Sequence, residues 1–328
     1  MQAIVQDRYG PAEVLALADV PVPVPGPREV LVRVRAAGVH IGDWHVMTGL
    51  PSVARLGLGL RRPRARVRGL EFAGRVEAAG ARVTGFRPGD EVFGVCAGAF
   101  AEFACAREDR IAARPADVGW AQAAALPVSG QTALQALRLG GPPRPGRRVL
   151  VIGAGGAVGS YAVQLAKAGG AEVTGVCSTG KAELVRTLGA DRVVDYTRED
   201  FAAVGTGHDL VLDMAGSRPL PELRRALAAD GTLVVVGGEG GGHVFGTLHR
   251  QLRASLPSFS GGRLRPLVAV DRASDLRELA ALAASGTIRP VIDRAYGLAE
   301  VPEALRRLGE GHNRGKAVVT IAGDGPGA

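Results

Sequence analysis

With 328 residues, 46% of them hydrophobic and 22% charged, the chain is large enough for two globular domains of roughly 150 residues, which excludes disordered and fibrous classes. The net charge of +8 comes almost wholly from arginine, since Lys167, Lys181 and Lys316 are the only lysines. No apolar run approaches the roughly 20 residues of a membrane span, and MQAIVQDRYG is not a basic segment leading into an apolar one, so a soluble cytoplasmic protein is expected.

The first 120 residues hold short Val-rich runs broken by Gly and Pro (EVLVRVRAAGV, FAGRVEAAG, DEVFGV, GAFAEFACA), an all-β rhythm. Pro21, Pro23, Pro25 and Pro27 alternate with small residues and predict an extended lead-in to the first strong strand. The densest basic run, Arg55 to Arg68, contains Arg61, Arg62, Arg64, Arg66 and Arg68. It reads as a solvated loop, the alternative being a grip on an anionic cofactor, substrate or nucleic acid. Cys96, Cys105 and Cys177 are too few and too scattered for a disulfide framework, and no Cys-x-x-Cys occurs.

From about residue 121 the pattern changes. AQAAALPVSGQTALQALRL has helical spacing, with Pro127 and Gly130 as interruptions. RRVLVIG, a glycine loop, GSYAVQLAKAG, AEVTGVC, KAELVRTLG, DRVVDY, HDLVLDMAG and TLVVVGG then alternate strand with helix, which predicts a parallel sheet covered on both faces. Beyond Gly242, Phe245 to Pro266 is basic and mildly amphipathic, a pocket wall or a dimer contact. DLRELAALAASG and EVPEALRRLGEG predict helices, KAVVTI a last strand, and GDGPGA a frayed tail.

Strand Arg148 to Ile152 runs into GAGGAVGS and then a helix, the context that gives a glycine motif meaning. In the spacing Ala154-x-Gly156-x-x-Gly159, Gly156 lets backbone N–H groups approach a pyrophosphate and Gly159 lets the helix pack closely on the strand. Ala154 stands where the fingerprint has its first Gly. The diphosphate would sit at a helix N-terminus, which favours anions. An acidic residue about 20 positions later would bind both ribose hydroxyls, but Cys177 occupies that position. Ser178, Thr179 and Lys181 follow, offering hydrogen bonds and positive charge to a 2'-phosphate, so NADPH is the expected cofactor. Ser178 and Thr179 can equally cap the next helix.

Together with GVHIGDWHVMTG, GLEFAGRVEAAGARVTGFRPGDEVFG, AAALPVSGQTALQAL, CSTGKAELVRTLGADRVVDYTREDF and GTIRPVIDRAYGLAEVPEALRRLGEGHNRGKAVV, these motifs resemble the medium-chain dehydrogenase/reductase superfamily almost end to end. The resemblance is to its zinc-free quinone oxidoreductase and enoyl reductase branch. It implies an α/β fold: a GroES-like β-barrel catalytic domain (1–122 and 290–328) and a Rossmann doubly wound parallel-sheet domain (123–289), with an active site in the cleft and a homodimer formed by sheet-edge pairing. It also implies 2'-phosphate contacts at Ser178, Lys181 and Tyr196, and cofactor contacts at Thr132 and Asn313. Val158 in the loop and Gly237 at the end of TLVVVGG complete the expected cofactor set. Zinc-dependent members carry a Cys where Val39 and His40 stand, and a His before the Glu matched by Glu71, where Leu70 stands here. No metal site is therefore expected. His40 replaces an asparagine common before the Asp43-Trp44 pair, and Glu71 replaces an aspartate.

Without a Lewis acid, a conjugated acceptor is the easier hydride acceptor, because the resulting enolate or hydroquinone oxygen needs only hydrogen-bond donors. His40, Trp44 and His45 are the candidate donors, and Asp43 an acceptor that orients them. For each histidine the alternative is plain packing. The expected activity is thus NADPH-dependent reduction of a quinone, enone or enal. Alternatives are an enoyl thioester on coenzyme A or an acyl carrier protein, a metal-dependent alcohol dehydrogenase, or an NADPH-binding protein without turnover that binds nucleic acid. The last has only charge in its favour.

Overall fold

The computed structural model describes residues 1–236, 263–311 and 313–321. Gly237, most of the basic stretch that follows it, and the GDGPGA tail lie outside the described residues. In chain order the strands are β1 (Gln2–Gln6), β2 (Leu15–Asp19), β3 (Glu29–Val39), β4 (Glu71–Ala79), β5 (Glu91–Val95), β6 (Phe103–Arg107), β7 (Ile111–Ala113), β8 (Arg148–Ile152), β9 (Glu172–Cys177), β10 (Arg192–Asp195), β11 (His208–Asp213), β12 (Leu227–Val235), β13 (Arg263–Pro266), β14 (Ile292–Gly297) and β15 (Lys316–Thr320). The chain divides into two compact units, 1–129 with 271–328, and 130–270. Residues 271–289, expected in the Rossmann half, fall in the first unit because the helix Ala273–Ala284 packs on β7.

The first unit is built on a sheet ordered β14-β15-β3-β4-β5-β7, with β6 also pairing β3. All its pairs are antiparallel except β14 with β15. The alternation in EVLVRV decides the face of β3: Val30, Val32 and Val34 are buried while Leu31, Arg33 and Arg35 are less so. From Ala36 onward every residue is buried, where the helix Trp120–Ala125 covers the strand. Register shifts between β3 and β4 at Leu31/Val32 and Val34/Ala36 bend the sheet around a core that includes Phe72, Phe100, Ile111 and Met47.

The second unit holds a wholly parallel sheet in the order β10-β9-β8-β11-β12-β13. Its central strands are near-continuous hydrophobic runs, Val149–Ile152 and Leu210–Leu212 being buried throughout, the mark of a sheet covered on both faces. The chain winds outward from β8 through β9 to β10, then returns to the other side of β8 as β11. That reversal creates a crevice at the carboxyl ends of β8 and β11.

Two sequence readings are corrected here. Gly130 does not interrupt its helix, because Pro127 opens a continuous helix Pro127–Gly140 whose first turn tolerates it. β13, inside the segment read only as basic, extends the sheet beside β12.

The tight turn after β8 is made at Gly153, whose φ is 81°, so the Ala at 154 costs nothing in backbone freedom. Gly159 has a different role. A Cβ there would press on the carbonyl oxygen of Gly153 and come within 2.8 Å of the Ala154 Cα. Gly159→Ala is expected to destabilise the protein by about 1–3 kcal/mol, as overpacking against fixed backbone does, read as a lowered midpoint of urea unfolding.

Candidate active site

In the first unit, the segment HIGDWHVMTG forms the helix Ile41–Thr48, capped at both ends. His40 is its N-cap: its Nδ1 accepts from the Gly42 N–H at 2.9 Å, while Asp43 Oδ2 accepts from the His40 N–H at 3.0 Å. Gly49, at φ 65°, closes the other end. Because Nδ1 accepts, the ring proton of neutral His40 is on Nε2. That N–H is buried and has no hydrogen-bond partner, Asp43 Oδ2 lying too far away at 3.7 Å. Burial, helped by the nearby Lys316 charge, pushes the His40 pKa well below its ordinary range, so the ring is a neutral donor.

Asp43 is 3% exposed, and burial pushes its carboxyl up to about 7, against the pull of the His40 backbone hydrogen bond. Its neighbour Glu71, at the head of β4, is fully buried. One carboxylate oxygen is ion-paired with Lys316 at the head of β15, and Oε2 accepts from the Val128 N–H at 2.9 Å. Lys316 Nζ also donates to Ser129 Oγ at 3.2 Å. Burial raises the Glu71 pKa, with Lys316 the main opposing influence.

His45 Nδ1 donates to the Leu50 carbonyl at 2.8 Å, and its ring meets Trp44 edge-on at 5.3 Å. Trp44 packs on the helix Val301–Gly309, its indole filling the space that a side chain at 309 would need. These contacts favour packing for Trp44, and they leave His45 with its Nδ1 proton committed. Asn313 is 6% exposed and neither atom of its amide has a partner, an arrangement suited to a ligand carrying both a donor and an acceptor. Lys316, Ser129 and Arg68 were not singled out by sequence. The signal for Lys316 was rarity, a lysine kept in an arginine-dominated chain. Arg68, the last residue of the run read as a solvated loop, is buried, whereas Arg61, Arg62, Arg64 and Arg66 are exposed.

In the second unit the carboxyl ends of β8, β9 and β10 gather Ala154, Gly156, Val158, Gly159, Ser178, Lys181 and Tyr196. Gly156 is the N-cap of the helix Ala157–Ala168, with no side-chain cap and no acidic residue in the first turn. The first N–H groups therefore await an acceptor, which fits a diphosphate. Lys181 lays its stem across the loop, since a Cβ at Gly155 would meet its Cβ at 2.7 Å and its Cδ at 3.0 Å. Tyr196 donates its backbone N–H to the Cys177 carbonyl at 3.1 Å, and its ring is half exposed. Thr132 is half-buried on the helix Pro127–Gly140. The Asp195 carboxylate, at the end of β10, accepts from Thr179 Oγ1 at 2.5 Å and Thr197 Oγ1 at 2.7 Å.

A Rossmann sheet with an open phosphate cradle and a β-rich unit carrying a buried polar cluster define a nicotinamide-dependent oxidoreductase. Residues 26–116 match the alcohol dehydrogenase GroES-like domain family and 188–319 the zinc-binding dehydrogenase family. The chain is 33% identical over 334 residues to a chloroplast envelope quinone oxidoreductase homolog of Arabidopsis thaliana, covering 97% of this chain and 98% of the relative. It is 32% identical over 372 residues to the mitochondrial NAD(P)H oxidoreductase RTN4IP1 of Mus musculus, covering 98% and 89%. The solved quinone oxidoreductase of Coxiella burnetii superposes with a TM-score of 0.85 at 30% identity over 98% of this chain and 99% of that one. The chain belongs to the medium-chain dehydrogenase/reductase superfamily, in its quinone oxidoreductase-like branch.

The zinc in the matched family's name finds no fit among the described residues. Among the described residues no three His, Cys, Asp or Glu side chains converge to hold a metal ion, and Glu71 is already engaged by Lys316 and Val128.

Two outcomes follow from the buried charges. Lys316→Met leaves the Glu71 carboxylate buried without its cation and is expected to cost about 3–5 kcal/mol, part of it recovered by adding Glu71→Gln, as read by denaturant unfolding. The Asp43 carboxyl titrates higher when folded than its ordinary 3.8, so the fold prefers the neutral acid. Its stabilising share is complete below about pH 4 and is lost as pH rises through about 7, an effect of at most about 4 kcal/mol. Asp43→Asn should flatten that part of the stability–pH curve; an unchanged slope between pH 4 and 8 would contradict the assignment.

Proposed function

We propose that the chain is an NADPH-dependent reductase, working without zinc as a homodimer, that delivers hydride to a quinone or to the conjugated C=C of a small enone or enal. The observation that carries this reading is the buried, unpartnered Nε2–H of a histidine held neutral. It is a donor fixed in direction by the Gly42 N–H on its other nitrogen. Such a donor suits an oxygen on which negative charge grows during reaction, and it requires no reorganisation when that charge appears.

Bound NADPH would supply the hydride from nicotinamide C4. The hydride adds to the β-carbon, the C=C pair moves toward the carbonyl oxygen, and the His40 Nε2–H takes that oxygen as acceptor. The α-carbon then receives a proton from solvent. His40, lacking a second acidic proton at neutral pH, orients and stabilises without being consumed. Asp43 holds the His40 backbone and Lys316 adds to burial in keeping the ring from protonating, so both act through His40.

Selectivity for NADPH is supported by Lys181 lying over the glycine loop and by the end of β9, where no carboxylate follows Val176. Asp195, the acid that ends β10, is turned to Thr179 and Thr197, so its charge is engaged by hydroxyls.

Metal-analysed protein should oxidise NADPH in preference to NADH with quinones, enones and enals, and leave simple ketones untouched. Turnover of simple ketones that chelators abolish would return the chain to the metal-dependent class. Lys181→Ala should raise the KM for NADPH about tenfold, as losing one charge-assisted phosphate contact does, and leave NADH unchanged. An equal loss for both cofactors would remove Lys181 from phosphate recognition.

A further inference from the structure

Beneath residues 57–70 the first unit contains a cavity of about 170 Å³, lined in part by Asp43 but not by His40. An apolar cavity of about 150 Å³ holds a benzene ring, so this one admits a single ring or a short branched chain. Val46, Leu58 and Leu70 contribute apolar wall, and the charged groups on it are Asp43, Arg64 and Arg68. Arg64 is exposed, and Ala97, also exposed, lies at the cavity's outer side.

Arg68 is the unusual member. It is 6% exposed, its Nη2 donates to the Ala65 carbonyl, and its Nε–H is buried with no partner. Among the described residues it forms no ion pair. A guanidinium taken out of water without an anion is costly, and buried charges in folded proteins are normally paired. The Arg68 backbone is paired on both sides, its N–H donating to the Ile4 carbonyl and its carbonyl accepting from Phe100, which roots the side chain beneath the loop. Asp43 is close enough to be felt electrostatically, yet its Oδ2 already accepts from His40, and the raised Asp43 pKa weakens its charge as a counter-ion at neutral pH. The cavity thus offers apolar walls and, in Arg68, a lining guanidinium with no anion of its own.

We propose that this cavity is a binding site for a small apolar carboxylic acid, whose carboxylate meets the Arg68 guanidinium while its ring or short chain fills the space lined by Val46, Leu58 and Leu70. Arginine suits a carboxylate because its planar fork presents parallel N–H groups. The site shares Asp43 with the proposed reductase chemistry, but every group in it lies within one compact unit, so binding needs no cofactor.

The test compares benzoate with benzamide, a neutral ligand of the same shape, by calorimetry on the full-length protein without nucleotide. Benzoate should bind at least tenfold tighter and raise the melting temperature more at equal concentration. Arg68→Met, which keeps the apolar stem, should abolish that preference while benzamide binding survives. Arg64→Ala, on the exposed side, should retain it. Ala97→Phe should weaken both ligands by narrowing the cavity. Should Arg68→Met fail to fold, the benzoate-to-benzamide ratio in the unaltered protein and in Ala97→Phe still decides. Equal binding of the two ligands, or a benzoate preference that survives Arg68→Met, would overturn the assignment, as would benzoate binding indifferent to Ala97→Phe.

Discussion

The buried ion pair between Glu71 and Lys316 is the constraint on which the first unit's polar cluster depends. It joins the head of β4 to the head of β15, strands separated in sequence by more than two hundred residues, and each partner makes one further hydrogen bond, to Val128 and Ser129. Such a pair gives little net stability over apolar residues of the same size. Its effect is specificity. Either charge alone in this place would be untenable, so the two strand ends and the chain at 128–129 must meet in one arrangement. The close quarters at Gly38, where a Cβ would come within 2.5 Å of Glu71 Oε1 and 2.6 Å of the Ala124 carbonyl, show how little slack the arrangement has.

The same pair sets protonation nearby. Burial is the main cause at both neighbours: the lysine charge adds to it in keeping His40 neutral, while at Asp43 the glutamate raises the carboxyl and the lysine opposes it. The zwitterionic pair therefore acts strongly on His40 and nearly cancels itself at Asp43, where burial decides. The result is polar in hydrogen bonding and nearly neutral in charge, a suitable setting for a hydrogen-bond donor that must not become a permanent cation.

Much of this architecture could be read from the chain, and the reasons are local. The Rossmann unit is legible because each of its features is written within a few residues: hydrophobic runs for buried parallel strands, glycines at the turn, and helical spacing directly after it. The His40–Asp43 relation was likewise foreseeable as a local acceptor role, since three residues separate the two. What the sequence hid is long-range. Nothing near Lys316 announces that its partner is Glu71, and nothing in the arginine run distinguishes Arg68 from its exposed neighbours. The difference arises because Arg68 alone pairs its backbone with Ile4 and Phe100 and is drawn under the loop. Trp44 shows the same dependence on distance: Gly309, far away in the chain, leaves room for its indole.

Rarity was the one sequence signal of these distant contacts. In a chain that uses arginine almost everywhere, each of the three lysines occupies a specific place: Lys167 bonds Asp191 at 2.8 Å, Lys181 crosses the glycine loop and Lys316 neutralises Glu71. At the last position the physical reason is geometric. A compact ammonium on a flexible stem can reach a carboxylate and a hydroxyl together in a cavity too tight for a planar guanidinium. In that position the lysine also supplies the positive charge that a buried glutamate beside a metal would receive from the ion. The two contacts shown for this ammonium go to Glu71 and Ser129. The proposed hydride acceptor therefore relies on the neutral donor of His40 and on its own conjugation to spread the arriving charge.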